Sequence, residues 1–508
     1  MYSIVYSAAA VGVGSFLLRV ETDSSPGLPC FEMVGLLSSE VREARERVRV
    51  ALHNCGFSVP STHITVNLSP ADMRKEGAAF DLPIAVGLLT GFGVLPEGAS
   101  NGYIVIGELG LGGEIKPVRG ILPIVRECLK QGFHRFMIPY ENAAEGACFR
   151  EALITPVRTL PEAVEYLKTE EKKRDQLIPP FRSVQEEGSP QKLPDFAEVI
   201  GQPGARRACE IAAAGFHHLL MVGPPGTGKS MMAKRIPGIL PPLDEEDSLE
   251  VSGIYSVAGC LKDGKLMKYR PFVSPHHTTS PHALAGGGHV PRPGAITLAH
   301  RGVLFLDEIP EFGRNCIETL RQPLEDKKVC IQRTSGNYVF PADFMLVAAM
   351  NPCPCGFYPD RNRCSCSPDM IRRYLARLSG PILDRIDLCT NVDMVDITKA
   401  NGRTHHESSE EILNRVMAAR RRQEERYKGT GIRFNADLGP GEISTYCSLG
   451  AEEQEYMNRI YSKLNLSLRG YHRILKVART IADLHGSEEI RREDLSGAVS
   501  YRPGEILR

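Results

Sequence analysis
The chain has 508 residues, too many for one hydrophobic core; at about 150 residues per domain the length predicts three. Lysine plus arginine and aspartate plus glutamate number 61 each, so the formal charge is zero and no basic coat for nucleic acid exists; a polyanion must bind locally. Apolar residues make up 42%, the ordinary share for a soluble globular protein.

Ala8 to Leu18 is apolar but short, glycine-broken and not preceded by basic residues. That pattern predicts a strand rather than a signal peptide or membrane span, and hence a cytoplasmic protein. From Lys168 to Leu193, Thr-Glu-Glu-Lys-Lys-Arg-Asp passes into a Pro/Ser/Gln/Glu mixture without apolar periodicity. Residues 168–193 are therefore predicted to be a linker between a first domain, 1–167, and a second, 194–396. A softer boundary at Asp396 to Glu407 opens a helical tail, 397–508. Its first helix begins at Ser409 with Leu413, Val416 and Met417 on one face, and Tyr461 to His485 continues it.

Residues 223–230 read Gly223-Pro224-Pro225-Gly226-Thr227-Gly228-Lys229-Ser230, a complete phosphate loop between the apolar run Leu219–Val222 and a helix-like stretch beginning at Met231. Glycines let successive backbone N–H groups point at triphosphate oxygens, and the following helix adds its positive end. Lys229 would reach the β- and γ-phosphates of ATP and Ser230 would hold Mg²⁺. Val303 to Leu306 then forms an apolar strand that ends in Asp307-Glu308. Its hydrophobicity suits a buried parallel strand, with Asp307 on the Mg²⁺ side and Glu308 free to orient or deprotonate the attacking water. A strand that merely ends in surface acids is the alternative.

Between these motifs, residues from about 250 to 300 are rich in glycine, proline and histidine and long for a simple crossover. Lys327 to Tyr338 reads as a hairpin. Lys328, Arg333 and Tyr338 are available there for phosphate contact or base stacking, unless it is only a polar surface hairpin. Phe344 to Met350 is a third apolar strand, ending at Asn351. Cys353-Pro-Cys355 and Cys364-Ser-Cys366 flank eight residues. Four thiolates can close a tetrahedral Zn²⁺ site and pin a loop that has too few apolar residues for a core, with free thiols or a redox pair as the alternatives.

The order phosphate loop, Asp-Glu strand, third strand ending at Asn351, Leu383-Asp384-Arg385-Ile386-Asp387 and helical tail resembles the AAA+ ATPases. Pro275-His276-His277-Thr278, Gly286-Gly287-Gly288, Pro293 to His300 and Asn351-Pro352-Cys353-Pro354-Cys355-Gly356 are similar to the Mg-chelatase-like branch, and within it to the competence-associated ComM family, over essentially the whole chain. The resemblance implies an α/β P-loop core with a C-terminal helical lid and an N-terminal Lon-protease-like α+β domain. It makes Asn351 a sensor of the γ-phosphate, Arg385 an arginine finger acting on a neighbour's ATP, and Arg469 the lid's sensor arginine; a surface ion pair is the plainer reading of either arginine. Arg372, Arg373 and Arg377 rival Arg385. A finger needs a neighbour, so a hexameric ring is implied, with the 250–300 insertion and the hairpin facing its pore.

Residues 1 to about 165 resemble the Lon-like domain. There the serine and lysine of the protease fall on Ala79 and Leu122, neither of which can attack a carbonyl or take a proton, so Ser-Lys hydrolysis is excluded. The implied activity is an ATP-driven DNA motor, a helicase promoting branch migration in natural transformation. A protein-remodelling chaperone and a chelatase motor subunit are the rivals.

Overall fold
The computed structural model describes residues 1–182, 193–288, 290–333, 336–394 and 407–502. The N-terminal unit is built on seven strands: β1 (Tyr2–Val11), β2 (Gly14–Ser25), β3 (Cys30–Val34), β4 (His63–Ser69), β5 (Tyr103–Val105), β6 (Arg135–Pro139) and β7 (Leu153–Val157). They lie in the order β3-β4-β2-β1-β5-β6-β7. The stretch expected to be one strand, Ala8 to Leu18, is the paired ends of β1 and β2, antiparallel from Tyr2↔Asp23 to Val11↔Gly14. The chain reverses at Gly12, which takes a left-handed conformation (φ 59°) that interrupts the apolar run.

Helices α1 (Ser39–Asn54) and α2 (Asp81–Gly91) cover one face of this sheet, and α3 (Ile121–Lys130) covers the other. After α4 (Leu160–Lys168), the predicted linker begins as structure. Helix α5 (Glu171–Leu177) is docked by buried Arg174, whose guanidinium donates to Leu167 O at 2.9 Å and Thr169 O at 3.0 Å. It also lies over the rings of Tyr103 and Tyr166. Phe181 then pairs its N–H with Ile154 O at 2.8 Å. Arg174, with Ile178 and Phe181 packed on the two cores after the helix, fastens this segment in place of an apolar stripe, so periodicity misses it. The rest of the linker, 183–192, lies outside the described residues.

The second unit carries α6 (Pro203–Gly215), β8 (Leu219–Val222), α7 (Lys229–Ala233), α8 (Glu245–Ala258), β9 (Phe272–Val273), β10 (Val303–Leu306), α9 (Arg314–Thr319) and α10 (Arg321–Asp326). There follow the hairpin strands β11 (Lys328–Arg333) and β12 (Gly336–Pro341), then β13 (Met345–Met350) and β14 (Leu388–Asn391). The five-stranded sheet, order β9-β10-β13-β8-β14, is wholly parallel. The three inner strands, β10, β13 and β8, are continuous apolar runs because both faces are covered. Leu219, Met221, Phe305 and Val347 point to one core, and Leu220, Leu304, Leu306 and Ala348 to the other.

The tail helices α11 (Ser409–Arg426), α12 (Ala451–Lys463), α13 (Leu468–His485) and α14 (Arg492–Ser500) join the first of these cores through Ile412, Val416, Ala419, Ala478 and Leu495. The buried face of α11 is thus Ile412-Val416-Ala419-Gln423, with Leu413 and Met417 at its flank. Buried Gln423 explains the shift, since it donates to Ala214 O and accepts from Asn435 N. The boundary expected at Asp396 to Glu407 falls almost wholly on residues outside those described. Among the described residues no helix is long and apolar enough to cross a membrane.

The N-terminal unit rests on α8. Gly120 N donates to Ser256 O at 3.3 Å, buried Glu145 accepts from Ser256 Oγ and from Leu122 N, and Cys148 Sγ reaches Gly264 O at 3.3 Å. Burial raises the Glu145 pKa against these hydrogen bonds. Leu122 is itself fully buried, beside Gly253 of α8. The position expected to take the place of a protease lysine is therefore covered by the neighbouring unit.

Candidate functional site
In a parallel sheet the loops leaving the C-terminal strand ends converge, and the phosphate loop, Asp307-Glu308 and Asn351 are the loops after β8, β10 and β13. The Lys229 ammonium donates to Gly223 O at 2.7 Å, Pro224 O at 2.8 Å and Asn351 Oδ1 at 3.3 Å. Burial pulls its pKa below the usual lysine value, opposed by the charges of Asp307 and Glu308. Ser230 Oγ donates to Asp307 Oδ2 at 2.5 Å, so the hydroxyl and carboxylate suited to a Mg²⁺ shell already touch. Thr227 Oγ1 caps the loop on Pro224 O at 2.9 Å.

Asp307 also accepts from the Glu308 N–H at 3.0 Å. Glu308 sits in the left-handed region (φ 49°, ψ 47°), a strained conformation for a side-chain-bearing residue. Its carboxylate is about half exposed, and His277 Nδ1 lies 3.9 Å away.

The loop is hemmed in by close backbone approaches. A Cβ on Gly223 would meet Val392 O at 2.1 Å, and one on Gly356 would meet Pro225 Cδ at 2.6 Å. The residue after Val392, Asp393, accepts from Gln202. Gln202 has φ 60° and precedes α6, and Ile200 beside it is 50% exposed. Ile200-Gly201-Gln202 at this edge of the loop carries no motif in the sequence; the exposed Ile200 and the left-handed Gln202 emerge only in the fold.

The four cysteines converge. Sγ separations are 3.4 Å for Cys353 and Cys355, 3.8 Å for Cys353 and Cys364, and 3.6 Å for Cys355 and Cys364. All four sulfurs, Cys366 included, lie within 4.8 Å of one another. A tetrahedral site with Zn–S bonds of about 2.3 Å has sulfur edges of about 3.8 Å, so the set fits the ion in donor type and size. Cys353 is two residues past Asn351, and Gly356 packs on Pro225. The cysteine cluster therefore touches the phosphate loop from two sides.

Tyr338 needs correction, and the structure narrows the readings of Lys328, Arg333 and Arg385. Tyr338 is buried among Val329 and Phe340 in the second sheet core, because the register Ile331↔Tyr338 and Val329↔Phe340 turns all four side chains inward. It is not available to stack on bases. Lys328 and Arg333 are exposed, but at opposite ends of β11, about 16 Å apart, so they are not one patch. Arg385 is not a free surface arginine. It is 12% exposed, pairs with Glu325 and donates to Pro381 O, and its buried Nε has no hydrogen-bond partner among the described residues. Arg469 Nη2 reaches the same Glu325 oxygen at 3.4 Å, so the two arginines converge on one carboxylate of α10. Arg377 pairs with Glu311 at 2.8 Å and Arg372 with Asp369.

Three family descriptions match in succession: subunit ChlI of Mg-chelatase over residues 20–142, magnesium chelatase, subunit ChlI over 195–400, and its C-terminal region over 406–502. YifB of Salmonella typhimurium is 41% identical over 501 residues, covering 98% of this chain and 97% of the relative. YifB of Escherichia coli is 42% identical over 509 residues with the same two coverages. Competence protein ComM of Haemophilus influenzae is 41% identical over 505 residues, again 98% of this chain and 97% of the relative. The chain belongs to the ComM family of Mg-chelatase-like AAA+ proteins. The three matched segments follow the N-terminal unit, the parallel-sheet unit and the tail helices, and the parallel α/β sheet with its phosphate loop is the architecture that family membership implies.

Proposed function
We propose that this chain is an ATPase that works as a ring-forming DNA motor of the cytoplasm, a hexamer as the family resemblance implies, and a helicase promoting branch migration when incoming DNA is recombined. The observation that carries the ATPase part is the joining of Ser230 to Asp307 and of Lys229 to Asn351 across three strand ends. When bound, Mg²⁺ supplies charge neutralisation between phosphate oxygens. The chain's own residues do the remaining work. The Lys229 ammonium exchanges two loop carbonyls for phosphate oxygens, Asn351 orients the γ-phosphate side, and the Glu308 carboxylate takes or aligns the proton of the attacking water.

The DNA part is supported by kinship with a competence protein and by Arg333, which stands at the hairpin tip against the glycine-rich insertion. The N-terminal unit, Lon-like and without a dyad, serves as a scaffold docked on α8. The test is ATP turnover with and without single-stranded, duplex and branched DNA across salt concentrations. Stimulation that weakens with salt and is lost in Arg333→Ala is the expected result. Equal rates with every DNA, together with stimulation by unfolded protein, would replace the motor reading with a remodelling chaperone; the three chelatase matches make stimulation by a partner subunit the other outcome to watch.

Cys353, Cys355, Cys364 and Cys366 would hold one structural Zn²⁺, with no open ligand position. Metal analysis of protein prepared without chelator or oxidant is expected to give about one zinc per chain, and about none in Cys364→Ser/Cys366→Ser. A wild-type chain free of metal by that measurement defeats the assignment.

A further inference from the structure
Arg385 stands in a turn that is pinned on both sides, between the short helix Gly380–Leu383 and β14. On the strand side, Asp387 Oδ2 accepts from His218 N at 3.2 Å and lies 3.3 Å from His217 Nδ1, while Asp387 N and Leu388 N both donate to His218 O. That end is therefore fixed to the loop between α6 and β8. The helix side is held by the tail. Arg473 of α13 donates from Nη1 to Leu383 O at 3.1 Å and to Ile386 O at 2.5 Å, the carbonyls on either side of Asp384-Arg385. Its side chain is only 15% exposed, and the nearest carboxylate, Asp384, is 3.9 Å away. Its close contacts are main-chain carbonyls, so what Arg473 fixes is the backbone path of the turn.

The contact belongs to one face of α13. Arg469, Arg473 and Thr480 follow one another at spacings of four and seven residues, which lines them up along a helix. Arg469 reaches Glu325, the carboxylate that also holds the Arg385 guanidinium. Arg473 holds the carbonyls of the turn, and Thr480 Oγ1 lies 2.8 Å from Nε2 of the same His217 that faces Asp387. One tail helix thus meets the Arg385 segment at its side-chain partner, at its backbone and at its far end. The backbone of Arg385 cannot shift without breaking the Arg473 contacts or taking α13 with it. Hydrogen bonds weaken steeply with distance and angle, so a guanidinium on a loosened turn loses its aim at a phosphate oxygen.

We propose that Arg473 is a positioning residue for Arg385: it makes the turn and α13 move as one body, so that the placement of the tail helices in one chain sets whether its Arg385 reaches the neighbour's nucleotide. This rests on the reading of Arg385 as a residue acting in trans and adds what aims it.

The experiment measures phosphate release by the full chain across ATP concentrations for wild type, Arg473→Ala, Arg473→Lys, Arg385→Ala and the double variant Arg385→Ala/Arg473→Ala. Binding of a non-hydrolysable ATP analogue, assembly state and Tm are measured alongside. Arg473→Ala is expected to lower kcat about 10- to 100-fold, the cost of misplacing a reacting group by about 1 Å. KM and analogue Kd should stay within about twofold of wild type, because nucleotide binding in its own chain is untouched. Arg473→Lys, whose ammonium can still donate to both carbonyls, should keep at least about a third of the wild-type kcat. The double variant should be no slower than Arg385→Ala alone, since Arg473 then has nothing left to aim. Mixed with Lys229→Ala, Arg473→Ala should regain part of the activity, because its intact phosphate loop meets a neighbour whose turn is intact. An Arg473→Ala chain with wild-type kcat overturns the proposal, as does a double variant slower by the product of the two single losses. A mixture that regains nothing while the Arg385→Ala mixture recovers overturns it too, and assigns Arg473 to its own chain. If Arg473→Ala does not fold, Arg473→Gln, which keeps an amide donor but no charge, takes its place in the same cycle and the same outcomes decide. An Arg385→Ala chain with the wild-type rate instead removes the trans reading, and the positioning role with it.

Discussion

Glu308→Gln is expected to bind ATP with wild-type affinity and to hydrolyse it at least about 10²-fold more slowly, the low end of what a positioned proton acceptor contributes. The amide keeps the shape of the side chain and can still occupy the space beside His277, but it cannot take a proton from water. Glu308 contributes its backbone N–H, not its carboxylate, to the contact with Asp307, so the Ser230–Asp307 pair and the Mg²⁺ shell it would form are left intact. Lys229→Ala should show the opposite division. Its ammonium is held at 2.7 and 2.8 Å by two loop carbonyls and has no obligation to water, so its loss removes a charge-assisted contact to phosphate worth about 1.5–3 kcal/mol, or about 10- to 100-fold in nucleotide Kd. Titration with a fluorescent ATP analogue and a separate phosphate-release assay separate the two effects. A glutamine variant that turns over normally, or one that fails to bind, removes Glu308 from the water-handling role.

The parts of this molecule that follow from local chemistry were legible along the chain. The phosphate loop, the Asp-Glu strand end and the strand leading to Asn351 each stand as contiguous residues, and a parallel sheet brings such strand ends together by its geometry alone. The cysteine cluster was legible for the same reason, since two Cys-x-Cys pairs need only one turn of loop to meet. What failed were readings that depend on a partner far away in sequence. Tyr338 looked like a stacking residue because its exposure is decided by hairpin register against the sheet core, which the hairpin's own residues do not state. Residues 171–177 looked like linker because their docking rests on Arg174 over two tyrosine rings. The pairing of Arg385 was equally hidden, because Glu325, its partner, lies sixty residues earlier on α10. His277 carried no mark beyond its motif until β9 and β10 set its loop beside Glu308.

Arg385→Ala is expected to bind ATP and to assemble, yet lose hydrolysis by on the order of 10³-fold, if the guanidinium completes a neighbour's site. Within one chain that guanidinium is neutralised by Glu325 and only 12% exposed, so reaching a neighbour requires it to leave the pair. The exchange is plausible on charge: a triphosphate offers bidentate acceptors and more negative charge than one carboxylate. Glu325→Gln then becomes informative, because weakening the hold should leave hydrolysis intact or raise it, whereas a purely structural pair would give a loss of stability with no gain in rate. The shared carboxylate extends the argument to Arg469, which contacts the same oxygen. If the shared carboxylate couples the two arginines, Arg469→Ala should behave as Arg385→Ala does. Mixing either variant with Lys229→Ala should restore part of the activity, because a phosphate loop from one subunit meets intact arginines from the other. Recovery with Arg385→Ala but none with Arg469→Ala would assign Arg469 to its own chain's nucleotide. Mixed assemblies that stay inactive with both, while each variant still binds ATP and assembles, would leave no role for either arginine in trans.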